Sequence, residues 1–193
     1  MASRRERCAV PNSPSRRVFR LVAALLLALP GPAFARRDPN ATPLRTVFLT
    51  KTPPDFMFDL GDGPKHLHDL AGKPVVVNFW DTFCEPCQAE LGAFAKIDAT
   101  YGSSVGVLTV NDEPPGKAQE YLEAHGYRLP VIEDPARQIF SLYSILPIPV
   151  TVIVARTGIV SKVIVGELDW DELHADLDAE LALPPPPEAQ PAR

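Results

Sequence analysis

Cys84 and Cys87 flank Glu85 and Pro86, a spacing that lets two thiols close a small disulfide ring. Such a dithiol does exchange chemistry. One thiolate attacks a foreign disulfide, and the second thiol resolves the mixed disulfide that forms. At a helix N-terminus the first cysteine gains further, because the helix dipole stabilises its thiolate. The competing readings are half a zinc site and an inert pair. Zinc takes about four ligands, and the sequence has neither a second C-x-x-C nor a Cys/His pair at metal-ligand spacing, so no metal and no cofactor beyond the cysteines are expected. His66 and His68 would share one side of a strand and could hold a metal only with outside help; a solvated edge pair is the simpler reading.

The elements around the pair have the right pattern to position it. Residues 74–80 (PVVVNFW) form an apolar, β-branched run with one polar Asn78, the signature of a strand buried on both faces. A helix is predicted from Glu85 to about Tyr101, with Leu91, Phe94, Ala95 and Ile97 at helical spacing and Gly102 at its end. Cys84 then sits at the helix N-terminus and Cys87 in its first turn. Upstream, residues 56–60 and 65–68 read as an N-terminal hairpin about a glycine turn. Downstream follow a strand at 105–110, a helix at 116–125, a short strand at 129–132, a short helix at 135–144, and a hairpin of 150–155 with 159–165. A last amphipathic helix, 169–183, places Trp170, Leu173, Leu177 and Leu181 on one face, read as core. The order is that of an α/β protein with a central mixed sheet flanked by helices.

Composition limits what else the chain can be. With 193 residues and 46% hydrophobic content there is material for one core, taken as residues 46–183. Residues 1–35 read as a signal peptide: six arginines, an apolar run from Leu21, and Ala33-Phe34-Ala35 as a cleavage pattern. A retained anchor is the alternative, but Pro30, Gly31 and Pro32 interrupt a stretch shorter than the roughly 20 apolar residues a spanning helix needs. Arg16-Arg17 also leaves twin-arginine export open. Residues 36–45 form a flexible lead-in, and 184–193, with four consecutive prolines, a disordered tail. Cleavage after Ala35 leaves 13 basic against 23 acidic residues, which disfavours nucleic acid and anionic membrane surfaces as partners. It also leaves two cysteines, both in the C-x-x-C, a distribution that suits redox work better than structural stapling.

Asp55-Phe56, Leu70-Ala71-Gly72-Lys73-Pro74, Val77-Asn78-Phe79-Trp80, Cys84-Glu85-Pro86-Cys87, Glu90-Leu91 and Pro149-Val150-Thr151 occur in an order that resembles the TlpA/ResA/CcmG group of periplasmic thioredoxins, related to the AhpC/TSA–Redoxin proteins. The resemblance covers about residues 53–182. It implies a thioredoxin-like fold with an N-terminal β-hairpin and a central insertion, acting as a monomeric periplasmic reductant on client proteins and recharged by a membrane thiol donor of DsbD type. Apocytochrome c haem-attachment cysteines and copper-site cysteines are the implied clients. The resemblance places a cis-proline at Pro149, with Pro147 as a rival, so that Ile148 meets an extended client. Phe83 stands where the family usually has Trp and keeps an aromatic shelf, with Trp80 grouped among the client-contacting residues. Glu90, three residues beyond Cys87, falls where the family has an acid that could move a proton as the disulfide opens. Asn78 replaces the buried acid of thioredoxin itself. Asp81 and Glu85 bring negative charge towards Cys84, which should raise its thiolate pKa and suit a reductant. A peroxiredoxin-like peroxidase and a Cu(I) carrier are the alternatives. The first lacks a threonine three residues before Cys84, where Asp81 stands, and the second lacks the C-x-x-x-C spacing of Sco-type carriers.

Overall fold

Two stretches, 1–41 and 42–193, divide the chain, and the computed structural model describes residues 50–184, all within the second. The expected leader, the lead-in, and residues 185–193 of the expected tail lie outside the described residues. Among those described, no helix is long and apolar enough to cross a membrane.

Strand β3 (Val75–Trp80) is buried at every position and forms the centre of the sheet. Its neighbours are β4 (Gly106–Asn111), parallel to it, and β6 (Val150–Val154), antiparallel; β5 (Val131–Glu133) extends the sheet beyond β4 and β7 (Val160–Val165) beyond β6. The two-residue period of β3 divides its side chains. Val75, Val77 and Phe79 join one apolar cluster with Phe140, Tyr143 and Val152. Val76 and Trp80 join the other, with Cys87, Leu91, Phe94, Leu173 and Leu177. Asn78 therefore points towards the helical layer formed by α1 (Glu85–Tyr101) and α4 (Trp170–Ala182). Between β4 and β6 the chain adds α2 (Lys117–Ala124), β5 and α3 (Gln138–Leu142), which enlarge the middle of the fold.

Several boundaries differ from the sequence expectation for definite reasons. The hairpin is present as β1 (Met57–Asp59) paired with β2 (Pro64–His66), but Leu67–Leu70 is a 3-10 helix rather than more strand. The Asp69 carboxylate accepts the His66 backbone N–H at 2.7 Å and turns the chain there. β5 begins at Val131 because Pro130 has no N–H for the ladder; its carbonyl accepts instead from Thr109. α3 is shorter than expected: Arg137 is in the left-handed region, and the Asp134 carboxylate accepts the N–H groups of Gln138 and Phe140. α1 ends as expected, at Gly102 with φ 53°. On α4, Leu173 and Leu177 are fully buried, but Trp170 and Leu181 are only half-buried at the edge of the core.

Candidate active site

Cys84 is the N-cap of α1, Pro86 lies in the first turn, and the two cysteines are joined as a disulfide with Cα atoms 5.2 Å apart. The Cys87 backbone N–H donates to Cys84 Sγ at 3.2 Å. In the dithiol form that N–H and the helix N-terminus favour charge on Cys84. Exposure separates the two sulfurs: Cys84 is half-buried at the rim, and Cys87 is buried. Only Cys84 is open to a foreign disulfide, so Cys87 can act only after a mixed disulfide has formed.

The segment between β3 and α1 is held by side chains. Glu113 Oε2 accepts the Thr82 backbone N–H at 2.7 Å, and Oε1 accepts the Thr82 hydroxyl at the same distance. Asn111 Nδ2 donates to Glu113 and to the Trp80 carbonyl. Gln88 Nε2 donates to the Thr82 carbonyl at 2.7 Å, and Asp81 Oδ1 accepts the Phe83 N–H at 2.8 Å. With its backbone satisfied, the loop presents the Phe83 ring outward at 86% exposure. That ring and Thr82 form one wall of a groove of about 320 Å³, and Lys117, Tyr121 and His125 of the α2 region form the other.

Behind the disulfide lies a buried polar group. Glu90 is 2% exposed, one helical turn beyond Cys87. Its Oε1 accepts from Asn78 Nδ2 at 2.7 Å, and the same amide reaches Thr151 Oγ1 at 3.2 Å. Asn78 and Thr151 are register partners on β3 and β6, so one side-chain cluster joins both strands to α1. Glu90 Oε2 has no hydrogen-bond partner among the described residues. Burial pushes the Glu90 carboxyl up to about 7, against the opposing pull of Asn78 and of the Leu168 backbone N–H, with Glu167 adding a smaller upward push. A solvated surface position for Glu90 is thereby excluded.

The Ile148–Pro149 peptide is cis. Phe79 pairs with Val150, so Pro149 follows in register opposite Trp80, at the end of β3 from which the cysteine loop departs. Ile148 is half-buried and packs against both apolar clusters, while Leu146 beside it is 87% exposed. Trp80 requires a correction. Its side chain is completely buried, edge-on to Tyr121, so it supports the surface from beneath and cannot touch a client. The structure thus brings Cys84, Cys87, Glu90, Phe83, Ile148 and Pro149 to the end of the sheet where β3 and β4 finish. Sequence reasoning missed Thr151, Glu113 and Gln88. Glu113 could have been suspected, since it closes β4 at the carboxyl end of a parallel pair, where α/β sheets place their sites.

The AhpC/TSA family matches residues 49–163. The chain belongs to this family. Thiol-disulfide oxidoreductase ResA of Geobacillus thermodenitrificans is 31% identical over 136 residues, covering 69% of this chain and 78% of that protein. ResA of Bacillus subtilis is 32% identical over 124 residues, covering 63% and 69%. Among solved structures, a thiol:disulfide interchange protein of the thioredoxin family from Chlorobium tepidum covers 68% of this chain and 96% of its own, with TM-score 0.60 and 25% identity. StoA from Bacillus subtilis, at 23% identity and TM-score 0.55, shows the same fold. The fold is thioredoxin-like, and this AhpC/TSA member is a thiol–disulfide oxidoreductase with disulfide-containing proteins as clients.

Proposed function

We propose that this enzyme works outside the cytoplasm as a reductant of other exported proteins, delivered there by residues 1–35. The observation that carries the reading is a protonatable carboxyl, Glu90, buried on the same helix one turn beyond the buried Cys87. In the dithiol form, Cys84 thiolate attacks a client disulfide, forming a Cys84–client bond and releasing one client thiolate. Glu90 takes the Cys87 proton, and Cys87 attacks Cys84 Sγ, closing the internal disulfide and expelling the second client sulfur as thiolate. Two electrons pass to the client, whose thiolates take up the two protons. The cysteine pair needs no cofactor for this. The clients fitting the reading are haem-attachment cysteines of apocytochrome c or copper-site cysteines, and a DsbD-type membrane donor would restore the dithiol of the monomeric enzyme.

A Cys87→Ser variant tests the reading by trapping. Stable mixed disulfides on Cys84 with exported proteins, together with a low reduction potential of the wild-type pair, are expected. An absence of trapped partners with a strongly oxidising potential would overturn it, and peroxide turnover by the variant would transfer the chain to the peroxidase reading.

A further inference from the structure

A second group of chemically capable side chains lies away from the cysteines. We propose that Asp55, His66 and His68 bind a borderline divalent transition-metal ion, for which Zn²⁺ is the representative probe. His66 Nδ1 is 2.8 Å from Asp55 Oδ2, and His68 Nδ1 is 2.9 Å from the same oxygen. One potential ligand atom from each residue lies within 4.8 Å of the others. Two imidazole nitrogens aimed at one carboxylate oxygen make an N₂O donor set of the kind that suits zinc or copper(II) rather than magnesium or copper(I).

The surrounding contacts orient these donors. The imidazole rings stack with centroids 5.1 Å apart and planes 23° from parallel, keeping both Nδ1 atoms on one side. Asp55 Oδ1 accepts the His68 backbone N–H at 3.2 Å, which leaves Oδ2 facing the rings. His68 Nε2 lies 3.4 Å from Asp69 Oδ1, which places a carboxylate on the far side of the ring, where one commonly orients a ligating histidine. Asp69 is itself held by the His66 backbone N–H. In a tetrahedral site with metal–ligand distances of ~2.0–2.1 Å, neighbouring ligand atoms lie ~3.3 Å apart, so each of the two nitrogen–oxygen contacts needs to open by only about 0.5 Å. The three side chains are between 38% and 66% exposed, which leaves the fourth position to water or to a donor from another molecule.

The location separates this site from redox chemistry. Asp55 and His68 border a hollow lined by Val75, Val154 and Gly158, at the start of β3, whereas the cysteine loop leaves its far end. A bound ion would tie the segment before β1 to the turn after β2.

Isothermal titration of the oxidised full-length chain carrying Cys8→Ser, with ZnCl₂ and separately MgCl₂, tests the proposal, because the Cys84–Cys87 disulfide keeps those sulfurs from competing. One equivalent of Zn²⁺ and none of Mg²⁺ is expected. His66→Ala and His68→Ala should each weaken zinc binding at least ~10-fold, and Asp69→Asn by a comparable factor. Thermal melts without metal establish that each variant is folded; should His66→Ala loosen the hairpin, His68→Ala, with the most exposed of the three side chains, decides alone. Disulfide reductase activity should be unchanged in His68→Ala. Failure of the wild type to bind zinc, or undiminished binding in the double histidine variant, would overturn the site.

Discussion

Asn78 Nδ2 donates to Glu90 Oε1 across 2.7 Å, tying the central strand to the helix that carries both cysteines. The bond favours the ionised carboxylate but does not outweigh burial, and the carboxyl stays near 7. Replacing Asn78 by Ala should raise that value further and leave Glu90 without its close donor. Loss of a buried hydrogen bond to a charged group is expected to destabilise the protein by roughly 1–3 kcal/mol, measurable by urea unfolding at pH 8.

The Glu90 carboxyl also sets a pH dependence. Its folded value, about 7, is above the ordinary 4.5, so the folded state holds an extra proton between those limits. Stability is therefore greatest below about pH 4.5 as far as this group is concerned, and declines as pH rises through 7, by an amount on the order of 3 kcal/mol. Glu90→Gln should abolish this decline and be the more stable protein at pH 8. Comparison of denaturation midpoints at pH 5 and pH 8 measures both effects.

Catalysis should report the same group. If Glu90 accepts the Cys87 proton, Glu90→Gln slows resolution of the mixed disulfide by about 10²-fold or more while leaving its formation by Cys84 intact. Stopped-flow measurement with a fluorescent model disulfide separates the two steps, and the inflection near pH 7 in the resolution rate should vanish.

Glu113 holds the loop before Cys84 through Thr82 and Asn111. Glu113→Ala leaves these donors without their acceptor and should cost roughly 2–3 kcal/mol. The released loop should also reduce the rate of attack by Cys84. Glu113→Gln, which keeps the acceptor oxygen, should restore part of both, as melting and single-turnover assays would show.

Phe83 supplies a contrast, since its ring buries almost nothing in the enzyme itself. Phe83→Ser is expected to change stability by less than about 0.5 kcal/mol. With a protein client, however, KM should rise several-fold, whereas reactivity towards a small disulfide such as oxidised glutathione should be nearly unchanged.

Much of this protein was legible from local sequence. The continuous apolar run of β3, the turn glycines and the helical spacing after Cys84 give the layers, because burial acts on periodicities the chain already displays. The C-x-x-C pair is legible for the same reason: four consecutive residues contain the whole chemical unit. The ends of β5 and α3 were not, because they depend on the pairing of the Pro130 carbonyl with Thr109 of β4 and on the Asp134 carboxylate turning back onto the first N–H groups of α3.

Cys84 and Cys87 as an exchangeable pair were thus determined by sequence alone. Tertiary structure added their difference in exposure, one sulfur at the rim and one beneath it, and raised the Glu90 pKa by burying the carboxyl, against the opposing hydrogen bond from Asn78. It also moved Trp80 below the surface and brought Asp55 to two histidines 11 and 13 residues away. Solvent exclusion and long-range proximity are properties of the packed chain, and no spacing along the sequence encodes their extent.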